Sequence, residues 1–324
     1  MHKMRTAIML ALVAVVAAWA APVAAYPDRP ITIIVPLPPG GPADTIARVV
    51  GQKLSERLGQ PVTIDNKPGA LGMIGAELGA RAKPDGYTIV MVSSGLSVVP
   101  AVQPQTVRFD IFKDLQPVTF AVRVPMVIAA NRSAPFKTMK EMVTYGKANP
   151  GKLSVGVSPG LGGSAHLLLE RMKLDLGFDV VPVPYKGSAP AIQALLANEV
   201  PVIIDTLAGL SGLISDGKVV ALATMTEKPT AAHPNIPTIA QAGFPGYAAD
   251  TWNGFAVPAG TPPEVVMLLN KEIVSILDMP DVREKILAVG LEPASNTPQE
   301  FADNIRRNFD FWSKIVKDAN IKLE

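Results

Sequence analysis

Short apolar runs alternate with longer segments in which apolar residues recur every three or four positions. The runs predict strands at Ile31–Leu37, Val62–Ile64, Thr88–Val92, Val127–Ala130, Leu153–Val157, Val180–Val183, Val200–Ile204, Val219–Ala223 and Phe255–Val257. Most are continuously apolar rather than alternating, as expected of strands buried on both faces of a parallel sheet. Between them lie helical patterns. Ile46, Val49, Val50, Leu54 and Leu58 share one helical face. Thr138 with Glu141, Thr261 with Glu264 and Thr297 with Glu300 have the spacing of capping boxes. Pro262 and Pro298 then fall at first helical positions, where a missing N–H costs nothing. Phe301, Ile305, Phe309, Trp312 and Ile315 form a stripe on the last helix, expected to pack on a domain rather than hold a cofactor. Alternating strands and helices give an α/β fold class.

The first residues change the picture, because they read as an address. Lys3 and Arg5 precede an apolar run from Ala7 to Ala21, shorter than the ~20 residues of a spanning helix. Pro22-Val23-Ala24-Ala25 supplies small residues for signal cleavage, so residues 1–25 are expected to be a secretory signal. The chain has no cysteine, which excludes disulfides and a lipoprotein anchor. The signal holds two of the 30 basic residues and none of the 28 acidic ones, leaving 30 − 2 = 28 bases against 28 acids. That balance argues against a nucleic-acid binder. A periplasmic location and a monomer are expected.

Candidate chemistry gathers where strands run into glycine-rich turns that open helices. These are Pro36–Asp44, with Pro38, Gly40 and Gly41; Ser93-Ser94-Gly95; and Ser158–Ser164, with Gly162 and Gly163. Helix N-termini carry partial positive charge and attract anions. In open α/β sheets, ligands sit at these strand ends. Asp44 either answers the helix dipole or stands at a cleft mouth. Asp205, ending the run Val202-Ile203-Ile204, is either a helix cap or a site residue.

Two enzyme motifs fail on inspection. Gly156-Val157-Ser158-Pro159-Gly160 fits a nucleophile elbow, but Pro159 lacks the N–H that would build the oxyanion hole. Gly160-Leu161-Gly162-Gly163-Ser164-Ala165 fits a dinucleotide fingerprint, but the next strand ends in Pro184-Tyr185-Lys186 instead of an acid. No metal-ligand spacing occurs. The chain is expected to be no enzyme and to need no cofactor; a secreted hydrolase using Ser158 is the rival reading.

As a set, these turns resemble the Bug-type extracytoplasmic solute receptors of tripartite tricarboxylate transporters. The resemblance rests on Tyr26–Ile31, Pro39–Asp44, Asn66–Ala70, Pro84–Thr88, Gly163–Leu167, Tyr185–Ala191, Ile204–Thr206, Trp252–Phe255 and Pro258–Pro262, in that order. It implies a type II-like periplasmic binding fold: two lobes joined by two crossing hinge strands, with residues 26–125 plus 247–324 in one lobe and 126–246 in the other. It also implies capture of a small carboxylate without an arginine clamp, for membrane permease subunits; a binding protein that serves a sensor kinase is the alternative reading. The expected ligand contacts are Pro38, Gly40, Gly41, Asp44, Ser93, Ser94 and Gly95 in the first lobe. In the second they are Gly162, Gly163, Ser164, His166, Tyr185, Lys186, Gly187, Asp205 and Thr206.

Overall fold

A computed structural model describes residues 26–249, 251–318 and 320–321. The expected signal, residues 1–25, lies outside them. The described chain is mixed α/β with two sheets. The first sheet contains β1 (Ile31–Val35), β2 (Val62–Asn66), β3 (Thr88–Ser93), β4 (Leu115–Val124), β10 (Thr251–Pro258) and β11 (Glu292–Pro293), in the order β11-β4-β10-β3-β1-β2. The second contains β5 (Met126–Asn131), β6 (Ser154–Val157), β7 (Val181–Pro184), β8 (Val202–Thr206) and β9 (Val219–Thr224), in the order β7-β6-β8-β5-β9.

Both sheets are covered on both faces, which is why their strands read as unbroken apolar runs. On one face of the first sheet, Ile31, Ile33, Val35 and Phe255 pack against α1 (Pro42–Leu58), α8 (Pro263–Leu277) and α9 (Pro280–Ala288). On the other, Val90, Val92 and Trp252 meet α2 (Met73–Ala80), α3 (Gly95–Val102) and the start of α10 (Pro298–Asp318). The second sheet packs Val127, Ala129 and Ile203 against α6 (Ser188–Leu196) and α7 (Leu207–Ser215). Its other face packs Ile128, Val155 and Val157 against α4 (Met139–Ala148) and α5 (Ser164–Leu176).

Each strand expected from the sequence is present. β4 and β11 were not expected. β4 interleaves Gln116, Pro117, Thr119 and Arg123 with its apolar positions, and β10 bulges against it twice. The capping box at Thr138 forms in full, and the one at Thr297 forms with Glu300. The one at Thr261 does not. There Pro262 is the N-cap and Pro263 the first helical residue. The buried Thr261 hydroxyl donates instead to the Pro258 carbonyl at 2.7 Å. The stripe on α10 also differs from expectation, because it serves two cores. Phe301 and Ile305 pack with the first sheet, whereas Trp312 and Ile315 pack with the second.

Candidate functional site

Strand register fixes where the two sheets meet. β10 is antiparallel to both β3 and β4, so β3 and β4 run the same way. The chain leaves β4 at Val124, passes Pro125 and enters β5 at Met126. Met126 lies opposite Thr206, the last residue of β8. The carboxyl ends of β3 and β8 therefore converge on one crossing. β1 is parallel to β3, and β6 is parallel to β8, so their carboxyl ends point there too. The chain returns beside the same point, with Thr251 of β10 opposite Val124. All the glycine turns singled out in the sequence end up on the two walls of this crossing.

On the first wall, α1 starts at Gly41 and no side chain caps it. Its first-turn amides, Ala43 and Asp44, have no intrahelical acceptor. Gly40 adopts φ +85° and its absent Cβ would meet nothing within 4 Å. At Gly41 the nearest atom to an added Cβ would be the Pro38 carbonyl oxygen, 3.8 Å away. Pro38 and Gly40 are exposed, with Gly41 half-buried between them and the helix. β3 ends in half-buried Ser93, followed by buried Ser94 and then Gly95, the first residue of α3, also without a side-chain cap. The Ser94 amide is spent on the Trp252 carbonyl at 3.1 Å.

Asp44 does not stand at a cleft mouth. It is 4% exposed and both its oxygens are occupied. Oδ2 accepts from the Gly40 amide and from Arg48 Nε, each at 2.9 Å, and Oδ1 accepts from Asn66 Nδ2 at 3.0 Å. Asn66 also donates to the Leu37 carbonyl at 3.2 Å. Burial pushes the Asp44 carboxyl up, but hydrogen bonds from Arg48, Gly40 and Asn66 outweigh it and hold it below the usual carboxylate value. Asp44 thus holds the loop in shape and consumes the Gly40 amide in doing so.

On the second wall, α5 starts at Gly163 and α6 at Gly187, again without side-chain caps. His166 is buried, and its Nδ1 accepts from the Gly162 amide at 3.2 Å. Burial pushes its imidazole below the usual value. The Gly163 amide turns back to the Gly160 carbonyl. The free donors here are accordingly the first-turn amides that follow, beginning with Ser164. Tyr185 is half-buried, its ring against Gly156, and its amide donates to Val157. Lys186 is exposed, and Gly187 has φ +149° with open space where a Cβ would be. Thr206 caps α7 through its hydroxyl. Asp205 is 2% exposed, and its Oδ1 accepts from the Ser188 hydroxyl and the Thr206 amide.

Ser158 is buried beside Asp205, whose carboxyl it helps to bind. The one histidine on this wall, His166, already has Nδ1 committed to Gly162, so the pair needed for a serine nucleophile is not assembled. Among the described residues, no group of His, Cys, Asp or Glu could hold a metal ion, and no helix is long and apolar enough to cross a membrane. The sequence reading missed Arg48, Asn66, Ser158 and Ser188 as organisers of these turns. Of these, only Arg48 fell outside the motifs it quoted.

Residues 46–321 match the family model described as the tripartite tricarboxylate transporter family receptor. The chain belongs to that family. It is 34% identical over 332 residues to Protein BugT of Bordetella pertussis, covering 100% of both chains. A solved structure of a periplasmic transporter superposes with TM-score 0.86 at 42% identity, covering 93% of this chain and 100% of that one. Rpa4515 of R. palustris, solved with adipate, gives TM-score 0.86 at 34% identity and covers 92% of this chain and 99% of its own. MatC from Rhodopseudomonas palustris, with bound malate, gives 0.80 at 29% identity, covering 90% and 100%. The family is one of periplasmic solute-binding receptors, not of enzymes.

Proposed function

We propose that this receptor is exported to the periplasm, captures a small organic carboxylate between its two walls and presents it, as a monomer, to the permease subunits of a tripartite transporter. One observation carries the reading: α1, α3, α5 and α6 all start at the crossing, and no side chain caps any of them. α7, which also starts there, carries a threonine cap instead. Uncapped first turns leave amide donors and a positive dipole end unanswered, which is the electrostatic complement of a carboxylate. The adipate and malate in the two R. palustris neighbours are acids of this kind. In this reading residues 26–125 with 247–324 form one lobe, residues 126–246 form the other, and hinge closure brings the ligand into contact with both.

Thermal shift and calorimetry against adipate, malate, citrate, aromatic acids and acidic amino acids test this. Ligand at 100 times its dissociation constant stabilises the native state by about 2.7 kcal/mol. A clear rise in Tm with one organic anion is expected. If only sugars or cations stabilise the receptor, the reading fails.

A further inference from the structure

Among the described residues three buried side-chain atoms have no hydrogen-bond partner: Asp205 Oδ2, Trp252 Nε1 and Asn304 Oδ1. Asp205 belongs to the second wall of the crossing. Trp252 and Asn304 line one and the same cavity, of about 220 Å³. One of these two atoms is a donor and the other an acceptor. A buried polar atom left unpaired forfeits the hydrogen bonds it makes in water, so two of them bordering one space call for a partner that fits there.

The cavity lies where the chain passes between the two sheets. β4 and β10 supply Phe120 and Trp252, and α10, which packs on both cores, supplies Asn304, Phe311 and Trp312. The two tryptophans differ. Trp312 Nε1 donates to Asn308 Oδ1 at 3.1 Å, one helical turn back. Trp252 has no such neighbour, and its ring is packed by Phe120 and Phe301, at centroid distances of 6.0 Å and 5.3 Å. The main chain of Trp252 meets the first wall, where its carbonyl accepts the Ser94 amide, while its side chain lines this second space.

The lining selects a class of guest. Its charged residues are Arg123 and Glu227, one of each sign and both exposed, so they keep their hydration at the rim. The remaining described side chains are aromatic rings, asparagines and alanines. Burying a net charge among these would be costly. Four aromatic rings favour a flat apolar body. The indole N–H needs an acceptor and Asn304 Oδ1 needs a donor. A carboxylate offers acceptors only and an ammonium donors only, whereas an amide edge carries one of each in a single plane. The space is smaller than the ~300–1,000 Å³ of pockets for drug-sized ligands, so the guest is about one substituted ring in size.

We propose that this cavity is a second binding site, separate from the carboxylate crossing, for a small, flat, uncharged molecule with an amide edge. Its carbonyl accepts from Trp252 Nε1 and its N–H donates to Asn304 Oδ1. Nothing in this depends on which ligand the crossing holds.

Benzamide is the probe, and methyl benzoate, with the ring and the acceptor but no N–H, is its control. Both tryptophans of the described residues line the cavity, so their emission reports occupancy, and calorimetry gives affinity. Saturable binding of benzamide is expected, with methyl benzoate about tenfold weaker for want of one hydrogen bond. Asn304→Leu removes the acceptor at a half-buried helix position. It is expected to weaken benzamide about tenfold and leave methyl benzoate unchanged, so that the preference between the probes disappears. Trp252→Phe keeps a flat ring and removes the donor, and it is expected to weaken both probes alike. A variant that merely disturbed the fold would weaken both and keep the preference, so Asn304→Leu separates contact from structure. Failure of benzamide to bind at any soluble concentration, equal binding of the two probes to wild type, or a preference that survives in Asn304→Leu overturns the site and leaves water as the only partner of these atoms.

Discussion

His166 and Asp205 sit on the same wall, and burial pushes their pKa values in opposite directions, the first down and the second up. His166 accepts the Gly162 amide at Nδ1, which only the neutral ring can do. Burial lowers its pKa, with Glu170 pulling it back up and Lys173 pushing it further down. A depressed histidine contributes stability that is whole above the unfolded value of about 6.5 and is lost as pH falls from there through the lowered folded value. His166→Gln, whose amide oxygen accepts but does not titrate, is therefore expected to gain Tm on wild type as the buffer is taken from pH 8 to pH 5. Thermal melts of the two proteins side by side check this; a constant difference across that range sinks it. At Gly40, φ +85° belongs to the left-handed region, where an L-residue costs roughly 1–2 kcal/mol. Gly40→Ala is expected to lose about that much in urea unfolding, because space is available but the conformation is not. None of this was legible in the chain. The sequence marks a glycine turn, but not that Asp44 and His166 consume the Gly40 and Gly162 amides from within, since each bond depends on where a side chain four residues along the helix is turned.

At the scale of the element, the proposed unit of function is the helix start. Gly41 and Gly163 occupy N-cap positions at which serine, threonine or aspartate would close off the first-turn amides. Gly41→Asp tests this directly. An aspartate side chain there has room, its Cβ no closer than 3.8 Å to any neighbour. It would accept from the α1 amides and stand as an anion where the ligand carboxylate is proposed to sit. Stability is expected to hold or rise by a few tenths of a kcal/mol, while carboxylate binding is lost in calorimetry. Unchanged affinity would remove α1 from the site. Thr138→Ala is the control: it breaks a complete capping box on α4 and is expected to cost about 1 kcal/mol with affinity unaltered. The strands that position these starts were readable because each is apolar on both faces. β4 was not, since Gln116, Pro117 and Arg123 interrupt the apolar run and only pairing with β10 makes it a strand. The apolar pattern thus hid the crossing, which entered only as what the family resemblance implies, although the turns on either side of it were plain.

Across the whole molecule, the two sheets are joined by more than the strands that cross between them. α10 carries Phe301 and Ile305 into the core of the first sheet, then Trp312 and Ile315 into the core of the second. α3 does the same in miniature, with Leu96 and Val99 on one side and Val98 and Val102 on the other. An amphipathic pattern shows that a helix has a buried face, but not that two different bodies bury it, so the sequence reading assigned all of α10 to one. Sharing of core residues makes each half incomplete without the other. We therefore expect thermal and urea unfolding to show one transition, with calorimetric and van't Hoff enthalpies in agreement. Trp312→Ala removes a fully buried indole from a helix whose first turns pack on the first sheet, at an expected cost of about 3–5 kcal/mol. Because that cavity opens in the core of the second sheet, both halves should lose stability together. This is read by comparing near-ultraviolet ellipticity of the aromatic cluster Phe120, Trp252 and Phe301 with far-ultraviolet ellipticity. Two separated transitions in the variant, with the cluster around Trp252 surviving the first, would mean that the lobes are independent and that α10 merely rests on the second. A single early transition would establish α10 as the tie against which any hinge motion must work. In the proposed reading, the free energy of closure would then depend in part on α10.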